Sequence, residues 1–223
     1  MNRASLIGGL FAASMLAAAP SFGAGPHDGK PVSYEVTVTN LTRGTSFTPI
    51  LAATHRQQLN FLQLGQPASA ELTSVAEAGD TGPLSDTILS TPFASSASSG
   101  GLLDPGHTVT ITIAASKRAH YLSLAAMLLP TNDGFIALNN VALPDRRETL
   151  RYVSNGYDAG TETNDELCAH IPGPLCGGEA LSPDDAREDY IHIHAGIHGV
   201  GDLAAAAYDW RNPVALITVR RVD

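Results

Sequence analysis

The sequence predicts an all-β fold, an antiparallel β-sandwich with long end loops and one or two short helices. Three observations predict it. Several short segments alternate β-branched or aromatic residues with polar ones, the period of a strand with one face buried. Two of these segments stand near the two ends of the chain and bracket everything between them. Neither an internal repeat nor a linker composition divides residues 24–223, a length that suits one large β domain with a real core.

The elements follow in order. Residues 34–41 (Y-E-V-T-V-T-N-L) and 108–114 (T-V-T-I-T-I-A) are half-buried strands by period and propensity. Residues 67–78 (P-A-S-A-E-L-T-S-V-A-E-A) combine a proline near the first turn, good helix formers and Gly79 as a stop, which predicts a short helix. Residues 91–101, rich in serine, alanine and glycine, read as a surface loop. Residues 121–129 (Y-L-S-L-A-A-M-L-L) are almost uniformly apolar and stop at Pro130, so they read as a central strand rather than a buried helix. Residues 190–193 and 214–222 complete the strands, and the alanines at 204–207 predict a helical turn before Tyr208 and Trp210. This aromatic pair is expected to face the core.

The first 23 residues are expected to lie outside the fold. Arg3 precedes a short apolar run at 6–19, Pro20 breaks it, and Ser21 and Gly23 permit cleavage before Ala24. That is a secretory signal peptide pattern. The run is too short for the ~20 apolar residues a membrane span needs. The mature protein is therefore expected in the periplasm or outside the cell, with no transmembrane segment. The formal net charge is -9. Such a surface repels nucleic acid and anionic polysaccharide, disfavours acidic lipid, and attracts cations.

The chain has two cysteines, Cys168 and Cys176, around A-H-I-P-G-P-L. In an oxidising compartment they read most simply as a local disulfide, with free thiols or a two-cysteine metal site as the alternatives.

Residues 157–166 (Y-D-A-G-T-E-T-N-D-E) crowd Asp158, Glu162, Asn164, Asp165 and Glu166 into one loop. Carboxylates this close repel each other unless water screens them or a hard cation neutralises them. Calcium takes several oxygen ligands from flexible loops, so the segment is either a solvated acidic loop or a calcium site. A second constellation is I-H-I-H-A-G-I-H at 191–198. His192 and His194 fall on one face of a strand, and His198 follows a glycine turn. Imidazoles at this spacing suit copper, zinc or nickel. The alternative, taken here as the better reading, is structural histidines bonded to loop backbone. His55 or His120 would join such a metal site only if folding brought them near. No G-x-S-x-G, phosphate loop or H-E-x-x-H offers a catalytic footing.

Several segments together resemble the spondin N-terminal domain family in its bacterial, free-standing form. They are L-A-A-M-L-L-P-T-N-D-G-F (124–135), Y-D-A-G-T-E (157–162), the closing R-N-P-V-A-L-I-T-V-R-R-V (211–222), and the opening Y-E-V-T-V-T-N-L-T with F-T-P-I-L-A-A-T-H soon after. The loops P-G-P-L-C-G-G-E and H-I-H-A-G-I-H-G suit the bacterial form. The resemblance implies a sandwich related to C2 domains, with calcium at one end, in a module of adhesion or recognition rather than an enzyme. Carried over by position, the calcium ligands are Asp133, Asp158 and Glu162. Glu162 stands where the family usually has aspartate. Residues 113–116 offer no carboxylate for a further acidic ligand, which leaves a backbone carbonyl, Asn132 or Asp165 to fill that place. The basic character of animal members is absent, so their matrix-binding role does not transfer, and the ligand is an unspecified protein or glycan. The alternative function is a copper- or zinc-binding protein or metalloenzyme that uses His192, His194 and His198.

Overall fold

Along β1 (Val32–Asn40) buried and half-buried residues alternate without a break, because one face meets the core and the other meets solvent. The computed structural model describes residues 31–182 and 186–222. The expected leader, residues 1–23, lies outside them. After β1 come β2 (Ser46–Phe47) and β3 (Leu51–His55), then two helices, α1 (Ala70–Ala78) and α2 (Gly82–Leu89). Ser69 caps α1 by accepting the Leu72 N–H, and Gly79 closes it in the left-handed region at φ 64°. Pro67 therefore sits just before the cap rather than in the first turn. The chain continues through β4 (Ser95–Ser98), β5 (Thr108–Ala115), β6 (Tyr121–Leu129), β7 (Gly134–Ala142), β8 (Thr149–Ser154) and β9 (Gly156–Asp158). It then passes β10 (His192–Ile193) and α3 (Ala205–Tyr208) to β11 (Ala215–Arg221).

Two antiparallel sheets form the sandwich. The smaller runs β5-β1-β11-β8, and the larger runs β10-β9-β7-β6-β3-β4 with β2 on β6. The first and last strands pair directly, with Val36 opposite Val219 and Val38 opposite Ile217. Between the sheets lies a core that includes Val36, Val38, Ile111, Leu122, Leu128, Ile136, Trp210, Ile217 and Val219. Trp210 belongs to this core as expected, and Tyr208 packs on its edge. A second apolar cluster joins Leu72, Val75, Leu84 and Ile88 of the helices to Ala125, Phe135 and Ala137 on the other face of the large sheet. This explains the uniform apolarity of β6. Its two faces are both covered, one by the small sheet and one by the helices, so no alternation survives.

Two expectations need correction. Residues 91–101 are not all loop, because β4 pairs with β3, Ala97 standing opposite Ala52. Its small residues carry no β-branched alternation, and the strand owes its place to the β3 edge and to the bond the Ile50 N–H donates to the Ser99 hydroxyl. The strand expected at 190–193 shortens to His192–Ile193, since the Ile191 N–H turns to the Gln66 carbonyl and the Asp189 N–H to Gly160. Among the described residues, no helix is long and apolar enough to cross a membrane.

Cys168 and Cys176 are disulfide-bonded. The bond clamps a loop whose Ile171 is fully buried and whose ends are tied by Gly178 N–H to Ile171 and Glu179 N–H to Ala169. Replacing both cysteines with alanine is expected to lower stability by about 2–3 kcal/mol, the loop-closure value for so short a ring. A urea titration at fixed calcium checks it.

Candidate functional site

Three loops meet at one pole of the sandwich: the turn from β6 to β7, the acidic loop after β9, and the histidine loop after β10. Asp133 stands at the head of β7 and is fully buried. Its Oδ2 accepts from the Thr161 N–H at 2.7 Å, the Glu162 N–H at 3.1 Å and the Thr161 hydroxyl at 3.2 Å. The acidic loop is thus wrapped around one carboxylate oxygen. The other oxygen, Oδ1, is buried and has no hydrogen-bond partner. Asp158, also fully buried, ends β9. Its Oδ1 accepts from the Gly160 N–H at 2.8 Å, and its Oδ2 accepts from Asn164 Nδ2 at 2.7 Å. Burial first, and then repulsion from Asp158, raise the Asp133 carboxyl well above the usual range, against the pull of the Thr161 and Glu162 donors.

Gly160 makes this winding feasible. It sits at φ +67°, and a Cβ there would lie 2.3 Å from the Tyr190 carbonyl oxygen and 2.7 Å from the Tyr190 nitrogen.

The carboxylate of Glu162 goes elsewhere. Its Oε1 accepts from the Ser182 N–H at 2.9 Å and the Ser182 hydroxyl at 2.6 Å. Glu77 on α1 is its charged neighbour. Burial above all, then Glu77, push the Glu162 carboxyl up to about 7, although Ser182 favours the ionised form. A proton held more tightly by the folded state gives stability that is full below the ordinary glutamate value and fades as pH rises towards 7. His194 acts in the opposite sense, since burial pushes it down to about 4. The difference between wild type and Glu162→Gln isolates the carboxyl. In chelator, the variant is expected to gain on the order of 2 kcal/mol relative to wild type between pH 4.5 and 7.5. Thermal melts across that range check it.

The two supplementary ligand candidates bond to each other. Asn132 Nδ2 donates to Asp165 Oδ1 at 3.0 Å, and Asn132 Oδ1 accepts the Glu166 N–H at 3.3 Å. Burial opposes the charge on Asp165, but the Leu167 N–H, Asn132 and His170 outweigh it and hold the carboxyl below its ordinary value. Glu166 is the residue that sequence reasoning left without a role. It is buried, with φ +58°, and gathers the backbone N–H groups of His198 (2.5 Å), Gly199 (2.7 Å) and Val200 (3.0 Å). Its carboxylate is the organiser of the histidine loop. The only hint in the sequence was an acid within reach of a glycine-rich turn.

The histidines separate into distinct roles. His194 is buried against Trp210, ring centroids 4.9 Å apart, and its Nδ1 accepts the Gly196 N–H at 3.0 Å. Its Nε2 is buried without a partner. His198 is exposed. His192 lies opposite Asp158 in the β9–β10 ladder, its Nε2 3.4 Å from Asp158 Oδ1. His55 is remote from this group in its bonding, held by the Gln57 carbonyl and the Ser123 hydroxyl. Among the described residues, one set of three acidic or histidine groups has ligand atoms all within 4.8 Å of one another: Asp158, Glu188 and His192. Neither the trio Asp133, Asp158 and Glu162 nor the trio His192, His194 and His198 forms such a set. Asp133 and Asp158 are brought together, while the Glu162 carboxylate is drawn to Ser182 and Glu77.

The Spondin_N family model matches residues 38–165, more than half of the chain. The chain belongs to the spondin N-terminal domain family. The matched span contains Asp133, Asp158 and Glu162 and ends before the disulfide loop and the histidine strand. In this spondin domain the last strand, beyond the matched span, is still integral to the fold, because β11 lies between β1 and β8 in the small sheet. No curated protein matches the chain.

Proposed function

We propose that this spondin domain is an exported, calcium-stabilised recognition module that acts by binding a protein or glycan rather than by catalysis. The observation that carries the reading is the pair Asp133 and Asp158, two buried carboxylates side by side, with Asp133 Oδ1 bare. Two such charges in a dry pole destabilise one another, and a hard divalent cation removes the conflict. The residues present fit calcium at these two positions. Glu162 supports the site through its N–H to Asp133, whereas its carboxylate is engaged by Ser182. Calcium takes 6–8 oxygens, so two carboxylates leave most of the shell to backbone carbonyls and water. The bound ion would tie the β6–β7 turn to the acidic loop and hold that pole in one shape, as a recognition surface requires. The disulfide supports an oxidising compartment outside the cytoplasm, and the acidic balance of the chain disfavours nucleic acid as partner.

Thermal melting tests this directly. Protein stripped of metal is expected to gain about 2.7 kcal/mol at a hundredfold calcium excess over Kd. For a domain of this size that is about 5–10 °C, reversed by chelator. An unchanged melting temperature at neutral pH would sink the calcium reading.

A further inference from the structure

We propose that Asp158, Glu188 and His192 form a transition-metal site on the β10 side of β9, distinct from the calcium position on the β7 side. The ladder sets this division. Asp158 stands between Gly134 on β7 and His192 on β10, so its carboxylate has Asp133 on one flank and His192 on the other.

The ligand geometry is that of a small divalent ion. The three ligand atoms lie within 4.8 Å of one another. The separation of His192 Nε2 from Asp158 Oδ1, 3.4 Å, is long for a direct hydrogen bond. Two ligands each about 2.0–2.1 Å from a tetrahedral ion stand roughly 3.3 Å apart. The imidazole is also oriented as a metal needs. Its Nδ1 lies 3.1 Å from the Ile193 carbonyl, which accepts from an Nδ1–H, so that Nε2, the atom facing Asp158, is the one available to a metal. Asp158 is oriented in turn by the Gly160 N–H and by Asn164.

The donor set decides the class of ion. One imidazole and two carboxylates suit zinc, copper(II) or nickel, whereas calcium prefers oxygen alone. Three protein ligands leave a fourth position for water. Glu188 is exposed and His192 half-buried, so an ion can enter from solvent. The site needs neither His194, whose Nδ1 is committed to Gly196, nor His198. It shares only Asp158 with the calcium reading and does not depend on it.

The test uses the full chain without a histidine tag, stripped by chelator, with copper(II) and zinc as probes. One equivalent of each is expected, with electron paramagnetic resonance of the copper form showing nitrogen coupling from one imidazole. His192→Gln is expected to abolish that coupling, and Glu188→Gln to weaken zinc at least tenfold. Asp133→Asn is expected to leave zinc binding in place. Glu188→Gln serves as a variant at an exposed position if His192→Gln does not fold. The proposal is overturned if the stripped protein takes up neither ion, if Glu188→Gln binds zinc as wild type does, or if the nitrogen coupling survives His192→Gln and disappears with His198→Gln. Loss of the calcium response with zinc binding intact removes the calcium reading alone, and the converse result removes this one alone.

Discussion

Asp133→Asn is expected to melt higher than wild type in chelator and to gain nothing from calcium. Both halves follow from one oxygen. In the metal-free protein Asp133 is buried, and its Oδ1 meets no donor while the charge of Asp158 stands nearby. The folded state therefore binds the Asp133 proton more tightly than the unfolded chain does. The stability this proton supplies is complete below the ordinary aspartate range and is lost as pH climbs through the raised value. As pH rises through that raised value, the metal-free wild type takes on the conflict. Asparagine keeps an oxygen for the Thr161 and Glu162 N–H groups and replaces the bare oxygen with an amide donor. The gap between variant and wild type should widen as pH rises from 4 to 8. With calcium the order inverts, because the variant has given up a charged ligand. The wild type rises by about 5–10 °C at a hundredfold excess over Kd, and the variant stays where it was. Paired melts with calcium and with chelator measure both effects. A variant that melts lower than wild type in chelator would show that the two carboxylates are not in conflict.

Gly160→Ala is expected to cost about 3–4 kcal/mol and to weaken calcium and zinc binding together. The φ of +67° alone penalises any L side chain by about 1 kcal/mol. The larger part comes from the neighbour. The new methyl would lie 2.3–2.8 Å from three backbone atoms of Tyr190, and a strand-leading backbone cannot rotate aside as a side chain does. Either the acidic loop shifts away from Asp133 or residues 188–192 shift away from Asp158. The Gly160 N–H also anchors Asp158 Oδ1, so displacement loosens the carboxylate that both proposed metal positions would share. Urea denaturation gives the stability loss, and titration of the folded variant with each ion gives the second effect. Wild-type stability in Gly160→Ala would mean that the Tyr190 segment yields freely.

Much of the fold was legible in the residues, and the parts that were not were hidden for two different reasons. β1, β5 and β11 announce themselves by strict alternation, because each presents one face to water. β7 (G-F-I-A-L-N-N-V-A) has no such signature, since its first half is buried on both faces and apolar residues run on without alternation as far as Asn139. β4 was hidden for the opposite reason: S-S-A-S carries almost no side-chain signal, and its pairing with β3 is a fact of tertiary geometry. The acidic loop and the histidine strand were visible as compositions and spacings. Their partition was not.

What the sequence determined by itself is the sandwich class, the short helix stopped by Gly79, the cysteine loop, and the inventory of groups able to hold a cation at one pole. Family membership was also visible in the motif around Asp158. Only the tertiary structure decided which of these groups meet. It set Asp133 beside Asp158, drew the Glu162 carboxylate off to Ser182 and Glu77, assigned Glu166 to the backbone of the histidine loop, and placed His192 rather than His194 next to Asp158. The physical reason is that a carboxylate within a crowded loop has several donors within reach. Strand register and the backbone N–H groups that folding delivers choose among them, and those come from segments 20–34 residues away in the chain.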